Sequence, residues 1–331
     1  MFTPTFTAVM ARIYAGQEDE SVAALLHAAG DGRKSHDPLA LRLKPGVREF
    51  VVRQSAGLGI SASGLINLIL EGVIREMLLP FENQASHVYE RFQLLMEAHG
   101  LGITEVATLL APFNIRLGVL EDRARTLDYL NEETLDCIAG WFNIDADWLK
   151  AKTAAPVNLA LSAHRWRDNL DHAAKSLLSA DSGDIKTDVY FFRSSQHSLL
   201  NNNIDNDHHV GLYVLRRKSI NGVSINTVRL FEQAPWSNEQ ARSQYRMLMG
   251  FCALAQTAGR LHLNTVALRP GQMMALRSGV TLPALIAFLP QTVGSLNSWR
   301  PEENLPLRYP DNYMTPEWRA IANKYLHGTN D

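Results

Sequence analysis

The sequence predicts a multidomain α+β fold: a strand and two helices near the N-terminus, a central bundle of five helices, and a C-terminal α+β half. Three observations lead to this prediction. The 331 residues exceed one domain of ordinary size. Apolar residues recur with a helical period through most of the first 180 residues. Runs rich in Val, Tyr and Phe, which favour strands, follow one another from Thr187 onward.

Breaks in the periodicity divide the chain into four parts. They fall at a polar arm before Pro38, at Pro80, and at an Ala- and Pro-containing stretch that ends at Pro156. The predicted parts are an arm with a short helix at 1–37, a strand with two helices at 38–80, helices at 88–152, and a helical linker with an α+β domain at 157–331.

The overall composition excludes several classes of protein. Hydrophobic residues make up 46% and the net charge is −2, which is typical of a globular chain and not of a disordered one. Two cysteines cannot build a disulfide framework, and the first residues lack the basic and apolar regions of a signal peptide. No apolar run approaches the roughly 20 residues that cross a bilayer. We therefore expect a cytoplasmic protein without a membrane partner.

The segment from Pro38 to Lys44 alternates with a period of two residues, which predicts a short strand. Leucines occupy one face of this strand. The other face carries Pro38, Ala40, Arg42 and Lys44. The strand is too short to be stable without hydrogen-bonded neighbours.

Two helices are predicted directly after the strand. The first begins at Pro45 and ends at the glycines around Leu58, and the second runs from Ser61 to about Leu78. The apolar residues of the second helix recur at helical spacing and form a stripe that is broad enough for a buried face. The members of this apolar stripe are Leu65, Ile66, Ile69, Leu70, Val73, Ile74 and Met77.

One strand and two helices cannot bury a core alone. Pairing with the same strand of a second chain solves this problem, because it forms an antiparallel ribbon that covers four helices. Such a ribbon fits the major groove of B-DNA. We therefore predict a homodimer that binds double-stranded DNA. The alternative is a helical hairpin with an edge strand.

The alternating strand, the helix start at Pro45 and the turn Gly59–Ser63 resemble the ribbon-helix-helix family, to which the Arc repressor and MetJ belong. The turn matches the family pattern Gly-x-Ser-x-Ser. The resemblance implies that outward strand residues contact bases and that amides at the start of the second helix hold a phosphate. A helix N-terminus is suited to this role because its N–H groups are free and its dipole end is positive.

The implied contacts fall into two groups. The base-contacting residues are Ala40, Arg42 and Lys44, and the phosphate-contacting residues are Arg33, Lys34, Ser61, Ala62 and Ser63. Ala40 offers only contact with a thymine methyl, so direct readout depends mainly on Arg42. Seven basic and four acidic residues in 32–80 give a net charge of +3, which favours phosphate binding.

Helix spacing in 88–150 resembles the five-helix domain of lambda-repressor/Cro-like helix-turn-helix proteins, chiefly at Ile103–Leu110 and Ile138–Leu149. The resemblance implies a third helix at Asn114–Arg123, where Asn114 and Arg116 are the only suitable base contacts. Five basic and eleven acidic residues give this segment a net charge of −6. Repulsion from phosphates therefore favours a role in protein contact or dimerisation.

The last part of the chain is predicted to be α+β. Asn221-Gly222 indicates a hairpin, and Ser237–Thr257 indicates a long helix capped by Ser237. Fifteen basic and ten acidic residues in 186–331 give a net charge of +5. The basic run before the turn, Arg216, Arg217 and Lys218, is either a secondary DNA contact or a solvated hairpin tip. The domain would serve as a sensor or for oligomerisation.

No catalytic motif is present, so the chain is not predicted to be an enzyme and no cofactor or metal is expected. The loop from Asn201 to His209 contains several side chains that could bind a metal, but such side chains in a polar loop are usually solvated. Cys137 and Cys252 have apolar neighbours and are interpreted as small core residues.

These observations together predict a sequence-specific transcription regulator, with activation favoured over repression. Its expected partners are operator DNA, a second copy, and RNA polymerase or another regulatory protein. Large regulators with this fold occur on conjugative plasmids and other mobile elements, so a conjugation regulator is one specific expectation. Two alternatives stay open: a plasmid partition or DNA-processing accessory protein, and an antitoxin-like interaction protein.

Overall fold

Helices and one mixed β-sheet give the chain an α+β fold, as the sequence predicts. The computed structural model describes residues 40–78, 80–159, 165–167, 170–178, 187–200, 208–288, 299–300 and 302–327. Contacts divide the chain into two compact units, Met1–Ser86 and His87–Asp331. No single described helix is long and apolar enough to cross a bilayer, although the first two helices reach that length and composition as a bent pair.

The first unit contains two helices close to their predicted bounds. Helix α1 spans Pro45–Leu58 and α2 spans Ala62–Leu78. Pro45 suits the first turn of α1, where no intrahelical N–H bond is lost. Gly59 ends α1 in the left-handed region, with φ 68°, and the chain bends by 99° into α2.

Residues 40–44 differ from the prediction because they form no strand with any described residue. The backbone of Lys44 is nevertheless extended, with φ −60° and ψ 147°. A strand exists only where a neighbour accepts and donates its backbone hydrogen bonds. The single chain supplies no such neighbour among the described residues, and Leu39 lies outside them.

The second unit begins within α3 (Pro80–Ala98), which starts eight residues before the predicted Val88. The helices that follow are α4 (Ile103–Leu109), a 3₁₀ turn (Ala111–Phe113), α5 (Leu117–Leu120), α6 (Arg123–Tyr129), α7 (Glu132–Phe142) and α8 (Ala146–Leu149). The predicted third helix at 114–123 is wrong, because only the single turn α5 and the first residue of α6 are helical there. Asn114 takes a left-handed conformation with φ 61°, which interrupts the helix.

The sheet begins after a short helix, α9 (Leu170–Leu178). The helical linker that was predicted from residue 157 onward is wrong at 157–159 and 165–167, which are irregular. The strands are β1 (Thr187–Ser194), β2 (His209–Ile220), β3 (Val223–Leu230), β4 (Ala234–Pro235) and β5 (His262–Leu268).

Strand order in the sheet is β3-β2-β1-β5, and β4 pairs with β2. Strands β1, β2 and β3 form an antiparallel meander, whereas β5 is parallel to β1. The crossover from β3 to β5 includes α10 (Glu239–Thr257), which is long enough to return the chain to the same end of the sheet. The carboxyl ends of β1, β3 and β5 therefore lie at one edge.

Both faces of the sheet are covered. Phe191 on β1 and Tyr245 on α10 belong to the core on one face, whereas Phe192 belongs to the core on the other face with residues of α11 (Pro270–Ser278) and α12 (Ala284–Ala287). The chain ends with α13 (Leu305–Arg308), a 3₁₀ turn (Pro310–Asn312), α14 (Pro316–Ala322) and a π-helical turn (Asn323–His327). The cap of α10 is Asn238 rather than Ser237, because its side chain accepts a hydrogen bond from Ala241 N at 2.9 Å.

The predicted hairpin turn at Asn221-Gly222 is confirmed, with φ 50° and 82°. Both turn residues are exposed, but the hairpin is anchored to the helices. Asn221 Nδ2 donates to Leu109 O at 2.7 Å. Val223 and Ile225 pack in one hydrophobic core with the helices of 88–149. The hairpin therefore joins the helical part of the second unit to its sheet.

Candidate nucleic-acid interface

A row of exposed side chains precedes α1. Ala40, Arg42 and Lys44 are all exposed. The three side chains predicted to contact bases are therefore available to a partner in the single chain.

The turn between α1 and α2 presents backbone donors. Ser61 Oγ accepts a hydrogen bond from Gly64 N at 3.0 Å and lies 3.2 Å from Ser63 Oγ. Ser61 therefore caps α2. Within the described residues, no hydrogen bond is formed by the backbone N–H groups of Ala62 and Ser63. These two amides are the donors that a phosphate at this helix end would use.

Apolar side chains of α1 and α2 are largely uncovered. Only Val51, Ser55 and Leu65 are buried among the described side chains of 40–73. The exposed large apolar residues are Leu41, Val47, Phe50, Val52, Leu58, Ile60, Leu68, Ile69 and Leu70. Ile69 and Leu70 belong to the apolar stripe. So many exposed large apolar side chains in two short helices favour an interaction site.

Basic residues dominate the same part of the chain. Residues 40–58 contain Arg42, Lys44, Arg48 and Arg53 and only one acidic residue, Glu49, and all five are exposed. Such a balance favours contact with a polyanion. Arg33 and Lys34, which were predicted to contact phosphates, lie outside the described residues.

The second unit offers a poorer match to DNA. Asn114 and Arg116 are exposed, but they precede a helix of only four residues, α5. No helix in the described part of 110–122 is long enough to lie along a groove. The one lysine of the segment 88–150 is also occupied, because Lys150 Nζ lies 2.6 Å from Asp136 and 3.0 Å from Glu132. The hydrogen bond to Asp136 raises the pKa of Lys150.

The basic run on β2 is divided by burial. Arg216 is buried, and its Nη2 donates to Ser176 O at 2.6 Å and Leu177 O at 3.1 Å, at the end of α9. The interpretation of Arg216 as a surface residue is therefore wrong. Arg217 is exposed and donates from Nε to Ser224 Oγ at 2.6 Å, and Lys218 is half-buried. Successive side chains of a strand point to opposite faces, so Arg216 is directed inward while Arg217 is directed to the solvent.

The candidate metal and thiol residues have different surroundings. Cys252 is buried, as predicted, and burial raises the pKa of its thiol. The prediction for Cys137 is wrong, because this residue is exposed on α7. Most of the Asn- and Asp-rich loop, 201–207, lies outside the described residues. Among the residues that the structure describes, no group of three His, Cys, Asp or Glu side chains could hold a metal.

Sequence reasoning missed a polar cluster at the edge where β1 ends. Arg193 Nη2 contacts Glu303 Oε2 at 2.9 Å in a buried ion pair. Glu303 also accepts hydrogen bonds from Ser198 Oγ, Leu199 N and Arg300 N, at 2.8–2.9 Å. Burial raises the pKa of Glu303, but the hydrogen bonds from Arg193 and the backbone outweigh it and leave the pKa lowered. No linear motif connects residues 110 positions apart.

His208 lies beside this ion pair, only 2% exposed, and stacks on His197 with ring centroids 5.0 Å apart. Burial, with the neighbouring imidazole of His197 and guanidinium of Arg193, lowers its pKa to about 4. An unfolded chain binds this proton near pH 6.5. Between these two values the unfolded state holds more protons, so the free energy of unfolding falls as the pH falls.

We expect the protonation of His208 on unfolding to lower the free energy of unfolding by about 2 kcal/mol between pH 7 and pH 5. The replacement His208→Phe keeps an aromatic ring and removes the titration. Urea denaturation at both pH values should show a smaller loss for this variant than for the wild type. The exposed residue His262 is the matched control, since His262→Phe should leave the pH dependence unchanged. Equal losses in wild type and His208→Phe would contradict the assignment.

Comparison with known proteins gives no matching family model, no matching curated protein and no matching solved structure.

Proposed function

We propose that the chain is a sequence-specific, double-stranded DNA-binding transcription regulator that acts as a homodimer. The observation that carries this proposal is the combination of an exposed basic segment, 40–44, with two helices whose apolar surface is mostly uncovered. A second copy supplies what both features lack, a strand neighbour and a cover. Resemblance to the ribbon-helix-helix family supports the same arrangement.

In the proposed dimer, residues 40–44 of two chains pair as an antiparallel ribbon and enter the major groove. Arg42 reads a guanine edge, Lys44 adds a second cation and Ala40 contacts a thymine methyl. The free amides of Ala62 and Ser63 hold a backbone phosphate and so fix the register of the ribbon on the duplex. Arg33 and Lys34 add contacts to phosphates.

The second unit serves protein contact in this proposal. Its segment 88–150 carries a net charge of −6 and has only the one-turn helix α5 where a groove-reading helix would be needed. An acidic surface repels DNA but suits basic surfaces of RNA polymerase or another regulator. This favours an activator, with conjugation genes of a mobile element as the proposed target. The same DNA-binding unit would also serve a partition or DNA-processing protein.

The proposal is tested by selecting bound sequences from a random duplex library with the full-length protein. We expect one short palindrome or repeat to be enriched. Arg42→Ala should weaken binding to it by about 1–3 kcal/mol and relax the preference at one base pair of each half-site.

Arg53→Ala is the matched control, because it removes an equally exposed arginine from α1. It should change affinity to a similar extent for all sequences, without altering the preference. If the wild type enriches no motif, or if Arg42→Ala keeps the full preference, the proposed function is wrong. Genomic copies of the enriched sequence that all lie far from promoters would favour the partition role.

A further inference from the structure

A pocket of about 410 Å³ lies at the sheet edge where β1, β3 and β5 end. Ser194 ends β1, and Gln196 and His197 follow it. Gln233 follows β3, and Gly271 lies in the first turn of α11 after β5. Because parallel strands end here together, the segments after them enclose a crevice. Ligands of open α/β sheets usually bind in such a position.

The lining of this edge pocket contains cationic and neutral polar groups but no carboxylate. Its charged residue is Arg277 on α11, whose Nη1 lies 3.2 Å from both ring nitrogens of His209. The nearest described acid of the polar cluster, Glu303, is already bound to Arg193. An anion entering the pocket therefore meets a guanidinium without a competing carboxylate among the lining residues.

Gln233 adds a second requirement. Its Nε2 donates to Met273 O at 3.2 Å, which fixes the orientation of the amide. Its Oε1 is buried and has no hydrogen-bond partner among the described atoms. A buried acceptor without a donor is unfavourable, so an occupant that carries an O–H or N–H group would stabilise it.

The size and the apolar lining of the pocket further restrict which ligands fit it. A volume of about 410 Å³ is within the range of small-molecule sites. Met273, Met274 and Pro270 line one side and offer apolar contact to a carbon skeleton or a ring. One arginine is too little charge to track a nucleic-acid backbone, which needs a row of cations. The pocket therefore suits a small organic molecule better than DNA.

We propose that the edge pocket binds a small organic anion, a phosphate or carboxylate that also carries a hydroxyl or amino group. Arg277 binds the anionic group and Gln233 Oε1 accepts the hydrogen bond. This inference goes beyond the DNA-binding proposal and uses different residues, so either can fail without the other.

The test uses the full-length protein at constant ionic strength, with calorimetric titration of inorganic phosphate, citrate, AMP and uncharged adenosine. We expect AMP or citrate to bind more tightly than inorganic phosphate and than adenosine, because each combines an anionic group with hydroxyl or amino donors. Binding of AMP but not citrate identifies a phosphate site, and the reverse identifies a carboxylate site.

Three variants locate the site. Arg277→Gln should weaken binding at least tenfold, whereas Arg277→Lys should retain part of it. Gln233→Met should weaken the binding of the organic anion more than the binding of inorganic phosphate. Arg260→Gln removes an exposed arginine next to the start of β5, at the opposite edge of the sheet, and should leave binding unchanged.

The proposal is overturned if neither AMP nor citrate binds, or if Arg277→Gln binds as tightly as the wild type. It is also overturned if duplex DNA is the one tested ligand whose affinity depends on Arg277. Circular dichroism of each variant, with urea denaturation, checks that a loss of binding is not a loss of folding. Should Arg277→Gln be unfolded, the comparison of Arg277→Lys with Gln233→Met decides the question.

Discussion

Replacing Glu303 with alanine should lower the free energy of unfolding of the second unit by about 3–5 kcal/mol, because it leaves a charged guanidinium buried without its counter-ion. Arg193 is 7% exposed and Glu303 is 3% exposed. The alanine also leaves Leu199 N and Arg300 N without their acceptor. The chain segments around Leu199 and Arg300 then lose the hydrogen bonds that hold them beside the end of β1.

A double variant separates the charge from the rest of the effect. Removing both charges with Arg193→Met and Glu303→Met should cost less than the sum of the two single replacements, since neither partner is then left unpaired. Urea denaturation monitored by tryptophan fluorescence gives the three values. Additive costs would show that the pair contributes no coupling.

A surface ion pair provides the matched control. Lys324 Nζ lies 2.7 Å from Asp171 Oδ1, and about half of each side chain is exposed. Asp171→Asn should therefore change the free energy of unfolding by less than about 1 kcal/mol. The contrast between two pairs of similar length isolates burial as the cause of the difference.

Local rules predicted the elements that depend on neighbours in sequence. Pro45 and Gly59 bound α1 because one residue fits a first turn and the other a left-handed end. Asn221-Gly222 forms its turn because both residues tolerate a positive φ. The strands β2 and β3 on either side of it follow from this turn together with the Val- and Tyr-containing runs that flank it.

Elements that depend on distant partners could not be predicted in this way. Trp166 lies in irregular chain instead of the predicted helix, and its backbone N donates to Glu232 Oε1 at 3.1 Å. Arg216 is buried because the last carbonyl groups of α9 accept its hydrogen bonds. The partners are 66 positions apart in the contact of Trp166 and 40 positions apart in the contact of Arg216 with Ser176. No short window of sequence contains both partners of either contact.

The two candidate sites differ for the same reason. The row Ala40–Lys44 is one continuous segment, so its alternation is visible in the sequence. The edge pocket takes residues from the ends of strands and from helix α11, between positions 194 and 277. Only the sheet order brings Ser194 and Arg277 to one place, and that order follows from the parallel pairing of β1 with β5.

Leu70→Glu should abolish the proposed homodimer at micromolar concentration and weaken operator binding at least 100-fold. Leu70 belongs to the apolar stripe of α2 and is 52% exposed in the single chain. In a symmetric dimer the replacement buries two unpaired carboxylates, at a cost of several kcal/mol each. The single chain itself should tolerate the change, since surface replacements usually cost less than about 0.5 kcal/mol.

Leu68→Glu is the matched control, because it makes the same chemical change two residues away. Leu68 is 59% exposed but lies about 160° around the helix from Leu70, off the apolar stripe. Sedimentation equilibrium of both variants should give a monomer for Leu70→Glu and a dimer for Leu68→Glu, and only the second should retain operator binding. A dimer in both cases would place the interface elsewhere and remove the main support for a β-ribbon built from two chains, since residues 40–44 then lack the neighbour that a strand requires.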